Sequence, residues 1–272
     1  LESLVKEVTN LVKKGYKDFS FVSQDSSSYL RDLGHNDGLE QLIDAVEKID
    51  GVKTARILYL YPSTTTLNLI DKIADSKVFV NYFDMPLQHI SQNMLKIMKR
   101  GKGAEKLIEL MNYMKSKPNS FVRTTFIAGH PGESEEDFEE LCSFVEEFGF
   151  DRGNVFSYSD EEGTSAETRD DKIEQELIDE RAEILGDIIS QTTIKSLEND
   201  IGKSFEVYID GESEEHEYLL SARKTIWAPQ IDGEIYINDN EGNLPIVFGE
   251  IYEVEATQLA GDKLLAKIIR KV

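Results

Sequence analysis

The chain has 272 residues, and its 52 Asp and Glu against 30 Lys and Arg leave a formal charge of −22. That balance argues against a broad nucleic-acid footprint, which needs cations to neutralise phosphates, and suits a basic partner. With 40% hydrophobic and 30% charged residues the composition is that of a globular chain, long enough for one large domain or two.

Cys142 is the sole cysteine, so neither an intrachain disulfide nor a multi-thiolate metal site is expected. No apolar run approaches the ~20 residues of a bilayer span, and the first 15 residues lack a signal-peptide pattern. A cytoplasmic protein with no membrane partner is expected.

In chain order, Leu1, Leu4, Val5, Val8, Leu11 and Val12 recur at helical spacing up to Gly15. No capping residue precedes this helix, and it is read as the partner of a strand upstream of residue 1. Strands are predicted over 18–25, 54–61, 78–87, 121–128 and 154–158. Helices are predicted over 39–49, 67–74, 94–117 (broken at Gly101 and Gly103), from Ser134 onward and over about 173–199. Ser134 with Asp137 forms a weaker relative of the capping box. Such alternation implies α/β architecture with a parallel sheet. The orphan helix extends the count to six β/α units, in a barrel or an open sheet.

Past Gly202 the period changes. Five short β-like runs, 203–210, 218–222, 233–238, 249–257 and 263–271, are separated by turn signals such as Asp210-Gly211 and Asp232-Gly233. They predict a small five-stranded antiparallel β-barrel of the oligonucleotide-binding kind over 201–272, after a first domain over 1–200. Residues 201–255 hold 13 acidic groups against Lys203, Arg223 and Lys224, a net charge of −10. A barrel this acidic reads RNA backbone poorly; it is either a solvated surface or a docking face for a cationic protein.

In parallel α/β folds the ligand site lies at the carboxyl ends of the strands. The polar residues there are Gln24 and Asp25; Tyr61; Asp84, Gln88 and His89; Arg123; His130; and Tyr158, Ser159 and Asp160. The segment Gly129-His130-Pro131-Gly132-Glu133 links a strand to a helix and admits close backbone approach, but is no phosphate-binding P-loop. His89 reads as a structural hydrogen-bonder twice as readily as a ligand-binding group. His35 and His216 lie in polar loops, Cys142 falls in an apolar helix stripe, and the acidic runs 133–137 and 212–217 read as solvated. No nucleophile elbow or metal-ligand spacing is present.

Several stretches taken together resemble the methylthiotransferase branch of the radical S-adenosylmethionine enzymes. They are Val22 to Tyr29 (VSQDSSSY), Arg56 to Pro62 (RILYLYP), Asp84 to His89 (DMPLQH), Met98 to Gly101 (MKRG), Arg123 to Glu133 (RTTFIAGHPGE) and Val155 to Thr164 (VFSYSDEEGT). The tail, with Leu220 to Arg223 (LSAR) and Ala228 to Gly233 (APQIDG), resembles the TRAM module of that branch. Gln24-Asp25, Gln88-His89 and the 158–164 run favour the members that modify a ribosomal protein over those that modify tRNA, and the acidic barrel agrees.

The resemblance implies transfer of a methylthio group to the β-carbon of an aspartate in small-subunit ribosomal protein S-twelve, through a 5′-deoxyadenosyl radical made from S-adenosylmethionine. It implies 4Fe-4S clusters, yet the CxxxCxxC motif that holds the radical cluster is missing, so these 272 residues alone are expected to be inactive. It also implies a partial (β/α)6 barrel lacking its first strand, and roles toward S-adenosylmethionine. Gln24 and Asp25 would bond its amino-acid end, Gln88 and His89 its ribose or the substrate, Arg123 a carboxylate, and the backbone of Ala128 and Gly129 its adenine. His130 departs from an aromatic Phe common in the family. Two other readings stand beside this one: a tRNA methylthiotransferase core, and a non-catalytic binding module.

Overall fold

The structure, a computed structural model, describes residues 1–101, 103–240 and 242–272. Its first part runs α1 (Glu2–Lys13), β1 (Asp18–Phe21), α2 (Gly38–Val46), β2 (Thr54–Ile57), α3 (Leu67–Ala74), β3 (Phe79–Asp84), α4 (Gln92–Ile97), α5 (Ala104–Lys115), β4 (Phe121–Ala128), α6 (Glu135–Phe148), β5 (Arg152–Ser157) and α7 (Gln175–Glu198). Five strands then follow: β6 (Ser204–Glu212), β7 (Leu220–Lys224), β8 (Ile235–Asn240), β9 (Ile251–Ala260) and β10 (Lys263–Lys271).

Chain contacts divide the protein into two compact units, Leu1–Thr192 and Thr193–Val272, with the division inside α7. In the first unit β1 to β5 form one parallel sheet in sequential order. A sheet that winds in one direction without reversing is a segment of barrel wall, whereas doubly wound sheets reverse their strand order.

The sequence dictates this arrangement locally. All of β2 is buried, as expected for a strand covered on both faces. The helices set apolar stripes on the sheet through residues such as Ile43, Val46, Ile70, Ile73, Leu107, Met111, Leu141 and Val145, each at most 1% exposed. Side chains of Thr66, Ser91 and Ser134 cap α3, α4 and α6 by accepting a backbone N–H three residues on. The Gly101–Gly103 break separates α4 from α5 as its composition predicts.

The second unit is a closed barrel in the order β10-β8-β7-β6-β9. Inward positions alternate along β9 and β10, where Tyr252, Val254, Ala256, Leu264, Ala266 and Ile268 are fully buried. Four neighbouring pairs are antiparallel and the fifth, β8 with β10, is parallel. Parity requires this, because directions cannot alternate around a ring of five strands.

The first three predicted strands are shorter than their apolar runs: 18–25 ends as β1 at Phe21, 54–61 as β2 at Ile57, and 78–87 as β3 at Asp84. Their carboxyl halves leave the ladder and bond crosswise. Leu58 N–H donates to Phe21 O at 2.9 Å, Leu60 N–H to Asp84 O at 2.8 Å, and Ser26 N–H to Tyr59 O at 3.0 Å. Tyr59 turns the chain in the left-handed region at φ 58°. Buried backbone groups stay satisfied while the apolar residues pack under the strand ends. Among the described residues no helix is long and apolar enough to cross a membrane.

Candidate functional site at the strand ends

The loops after β2, β3, β4 and β5 converge on one cavity of about 350 Å³. Tyr61 enters from the β2 loop, Gln88, Lys99 and Arg100 from the β3–α5 connection, Ile127 and His130 from the end of β4, and Tyr158 and Ser159 from beyond β5. This volume falls in the range of small-molecule pockets. One wall is aromatic: the His130 and Tyr158 rings meet edge to face at 5.0 Å. Burial, followed by the hydrogen bond to Asp160, raises the Tyr158 phenol to about 12, so it stays protonated.

Gln88 is the one member of the expected cofactor set that lines this cavity. It sits at φ 70°, held by its N–H to Thr125 O at 2.8 Å and by Ile127 N–H to its carbonyl at 2.9 Å. This bridge to β4 fixes a left-handed backbone that a non-glycine residue adopts only under constraint.

The other expected residues lie around the site in supporting positions. Gln24 is exposed beyond β1. The Asp25 carboxylate accepts Ser28 N–H at 3.1 Å and Ser27 Oγ–H at 2.7 Å, which caps a short 3-10 turn over Ser26–Ser28. Arg123 pairs with the fully buried Asp84 at 3.2 Å; with the Asn154 amide turned to satisfy its neighbours, that oxygen accepts a second Arg123 N–H at 2.8 Å. Ala128 O accepts Tyr158 N–H at 2.9 Å, and Gly129 N–H donates to Glu133 Oε2 at 2.8 Å.

His89 is fully buried. Its Nδ1 accepts the N–H groups of Ile90 and Ser91 at 2.9 and 3.0 Å, which places the ring proton on Nε2. Burial drives its pKa down to about 4, so the ring is neutral at pH 7. It stands in the β3–α4 connection, with both of these hydrogen bonds to its own chain neighbours.

The 133–137 run departs from its expected solvated character. Exposure is confined to its middle residues Ser134, Glu135 and Glu136, while Glu133 and Asp137 are 5% and 8% exposed.

The two buried acids have partners that sequence spacing does not reveal. Arg181, from the second turn of α7, donates to Glu133 Oε1 at 2.9 Å and to its carbonyl at 3.1 Å, and reaches Glu135 at 2.8 Å. Burial raises the Glu133 carboxyl against the pull of these donors. Asp137 completes a full capping box with Ser134 and also accepts from Ser91 and, at 2.8 Å, from Asn93. Burial alone would raise the Asp137 carboxyl, but these donors outweigh it and hold it down to about 2. The start of α6 is thereby tied to the start of α4. Sequence reasoning singled out neither Arg181 nor Lys99 and Arg100. Arg181 lies 48 residues from Glu133 and carries no local signal, whereas Lys99 and Arg100 stand in a quoted motif without an assigned role.

Comparison with known proteins gives this geometry a family. A profile of the Radical SAM superfamily matches residues 1–145, and one of the TRAM domain matches residues 201–269. The chain is 78% identical to "Ribosomal protein uS12 methylthiotransferase RimO" of Aliarcobacter butzleri (strain RM4018), over 99% of this chain and 61% of that protein. It is 60% identical to the protein of the same name from Sulfurovum sp. (strain NBC37-1), over 100% of this chain and 61% of that protein. Among solved structures, Streptococcus suis SuiB bound to S-adenosylmethionine aligns with a TM-score of 0.42 at 18% identity, over 69% of this chain and 39% of that one. The chain thus spans about three fifths of the length of the curated relatives it matches. The profile match covers more than half of the 272 residues, and the chain belongs to the Radical SAM superfamily.

Proposed function

We propose that this chain forms the cofactor-cradling core and accessory barrel of an enzyme that transfers a methylthio group to the β-carbon of an aspartate in ribosomal protein uS12. The observation that carries this reading is the convergence of Tyr61, Gln88, His130 and Tyr158, from four successive strand-end loops, on one small-molecule-sized cavity. The reaction itself is suggested by the name of relatives 78% and 60% identical to this chain.

The cavity fits the adenosyl part of S-adenosylmethionine. His130 and Tyr158 offer aromatic surface, Ile97 and Ile127 apolar surface, and Gln88 an amide for hydroxyl groups. Bound S-adenosylmethionine, reduced by an electron from a cluster held outside these residues, would supply hydrogen abstraction from an unactivated carbon. Gln88 orients the ligand, and the Asp84–Arg123 pair and His89 hold the loops that carry it. Asp25 fixes the turn beyond β1, from which Gln24 addresses the amino-acid end. The backbone of Ala128, outside the lining, ties Tyr158 to the end of β4.

The residues do not fit the 4Fe-4S cluster that the superfamily implies. Such clusters are held by thiolates. Cys142, the sole cysteine, is half-buried on α6, and burial pushes its thiol up to about 11. Among the described residues no group of three or more His, Cys, Asp or Glu is arranged to hold a metal ion. The proposed activity therefore belongs to a protein of the relatives' length, with cluster ligands outside these 272 residues.

The barrel supplies the partner side of the proposal. A cavity of about 690 Å³ is lined by Asp210, Glu212, Glu214, Glu215 and Glu234. Arg223 is paired with Asp210 at 3.1 Å, and Lys263 with Glu215 and Glu234 at 2.7 and 3.1 Å. Exposed Glu212 and Glu214 add to the acidic surplus, which suits a basic ribosomal protein and repels tRNA.

The test is mass spectrometry of uS12 after reaction with the protein at the relatives' length, S-adenosylmethionine and a reductant. The reading predicts a methylthio group on one aspartate, lost in Gln88→Ala. Modification of tRNA instead, with a steep salt dependence of binding, would contradict it.

A further inference from the structure

β5 is the last strand of the parallel sheet, and among the described residues no strand lies beyond it. An edge strand presents a row of free N–H and C=O groups, which proteins ordinarily blunt with lysine, proline or a covering segment. The centre of this edge is Asn154, Val155 and Phe156; Asn154 is exposed, and the Phe156 side chain stands in solvent at 60% exposure. An open strand edge beside an exposed ring is the surface that strand addition uses.

Position ties this edge to the strand-end cavity. In the parallel register Phe156 stands opposite Ile127, a residue of the cavity wall, so the face of β5 that bears Asn154 and Phe156 leads into the cavity. The opposite face is covered by α7: a Cβ on Gly153 would lie 3.1 Å from Ile189. Tyr158 N–H still bonds to Ala128 O at 2.9 Å, which carries the open edge up to the cavity mouth. There Tyr158 and Ser159 are shared with a second cavity of about 530 Å³, lined also by Asp160, Lys172 and Gln175. The other sheet edge, β1, contributes no residue to the strand-end cavity.

Charge selects the occupant. Residues 158–190, from the end of β5 into α7, hold 12 acidic groups against Arg169, Lys172 and Arg181. Those three cations are already paired, with Asp171, Asp160 and Glu133. Glu161, Glu162, Asp179 and Glu180 are exposed. Such a field suits a cationic polypeptide and disfavours both a nucleic acid and a second copy of this acidic chain.

We infer that the free edge of β5 receives an extended, Lys- and Arg-rich segment of the protein substrate as an added strand. Main-chain hydrogen bonds supply affinity in such an arrangement, and side-chain alternation supplies register. An aspartate of the segment on the Phe156 face is presented to the strand-end cavity from the side, while its two chain neighbours face away, toward α7. The inference deepens the proposed function and rests on it in taking a protein as the acceptor.

Fluorescence anisotropy of the 272-residue chain with a short Lys- and Arg-rich peptide centred on aspartate tests this. A strand bonds to an edge through every second residue, so backbone N-methylation at alternate residues of one parity is expected to abolish binding, and of the other parity to change it by less than about twofold. Phe156→Ser is expected to weaken the unmodified peptide about tenfold, without lowering the melting temperature or the affinity for S-adenosylhomocysteine. Hydrogen exchange is expected to show peptide-dependent protection along β5.

Equal loss or equal retention with the two methylated peptides, unchanged affinity in Phe156→Ser, protection confined to the acidic barrel, or no peptide binding would overturn the docking edge. Tighter binding of a single-stranded RNA of equal length would overturn it too, as would self-association of the chain that Phe156→Ser abolishes, since each names another occupant. S-adenosylhomocysteine binding with no peptide effect at β5 removes the docking edge and leaves the proposed function standing. Parity-dependent peptide binding without S-adenosylhomocysteine binding upholds the docking edge and removes the adenosyl-based function.

Discussion

Arg123 and Asp84 are register partners on neighbouring parallel strands, and their side chains form a buried ion pair with Nη1 and Oδ1 3.2 Å apart. The other Asp84 oxygen accepts Tyr59 N–H at 3.1 Å, so one carboxylate ties the β2 loop, β3 and β4 together. Asp84 thus gives Arg123 a carboxylate partner within the chain. Asp84→Ala, which leaves the guanidinium uncompensated, is expected to cost about 3–5 kcal/mol in urea unfolding. Asp84→Leu with Arg123→Met is expected to recover part of that loss, since it removes the stranded charge but leaves Tyr59 N–H without its acceptor.

Neutral His89 makes stability depend on acid. Its pKa is about 4 in the folded chain against an ordinary 6.5, so the unfolded chain binds more protons between those values. Stability therefore rises with pH across that window, and the acid-side loss attributable to this ring is about 3 kcal/mol at pH 4 and below. Urea unfolding between pH 7 and 4 checks this. The slope should diminish in His89→Asn, whatever that variant's stability at pH 7.

Asp137 acts in a lower window. Its carboxyl is held at about 2 against an ordinary 3.8, so its contribution is complete above about pH 5 and is lost as pH falls through 3.8 to below 2. The amount is about 2 kcal/mol. Ser91→Ala removes one of the donors and should raise the Asp137 pKa measured by NMR titration, moving the acid transition to higher pH.

Gly129 and Gly163 share a left-handed backbone, φ 80° and 81°. A Cβ on Gly129 would lie 2.6 Å from Ile178 on α7, while one on Gly163 would meet nothing within 4 Å. Gly163→Ala is expected to cost about 1 kcal/mol and Gly129→Ala at least about 2 kcal/mol more, since the second adds a steric clash to the same backbone strain. Thermal unfolding of the two variants measures the difference.

The architecture is legible in the sequence wherever apolar spacing alone decides it. Alternation of short β-branched runs with helical stripes predicts the parallel sheet, Gly101 and Gly103 divide α4 from α5, and turn signals delimit the five barrel strands. The site is less legible because it is built where those rules stop. Leu58 to Tyr61 read as strand yet leave the ladder, as their backbone groups find partners in other loops. Tyr59, Gln88 and Lys99 are non-glycine residues at positive φ, which tertiary contacts impose and local propensity opposes. Glu133 and Asp137 read as solvated because Arg181 and Ser91, which stabilise them in the interior, are distant in sequence.

The proposed chemistry stands or falls with whether the cavity among Tyr61, Gln88, His130 and Tyr158 receives an adenosyl group. Hydrogen–deuterium exchange of the chain with and without S-adenosylhomocysteine decides this. Added protection should concentrate at the Gln88–Ile127 bridge and the loop after β5, and should be lost in Gln88→Ala. Protection confined to the acidic barrel, or none at saturating ligand, would refute it.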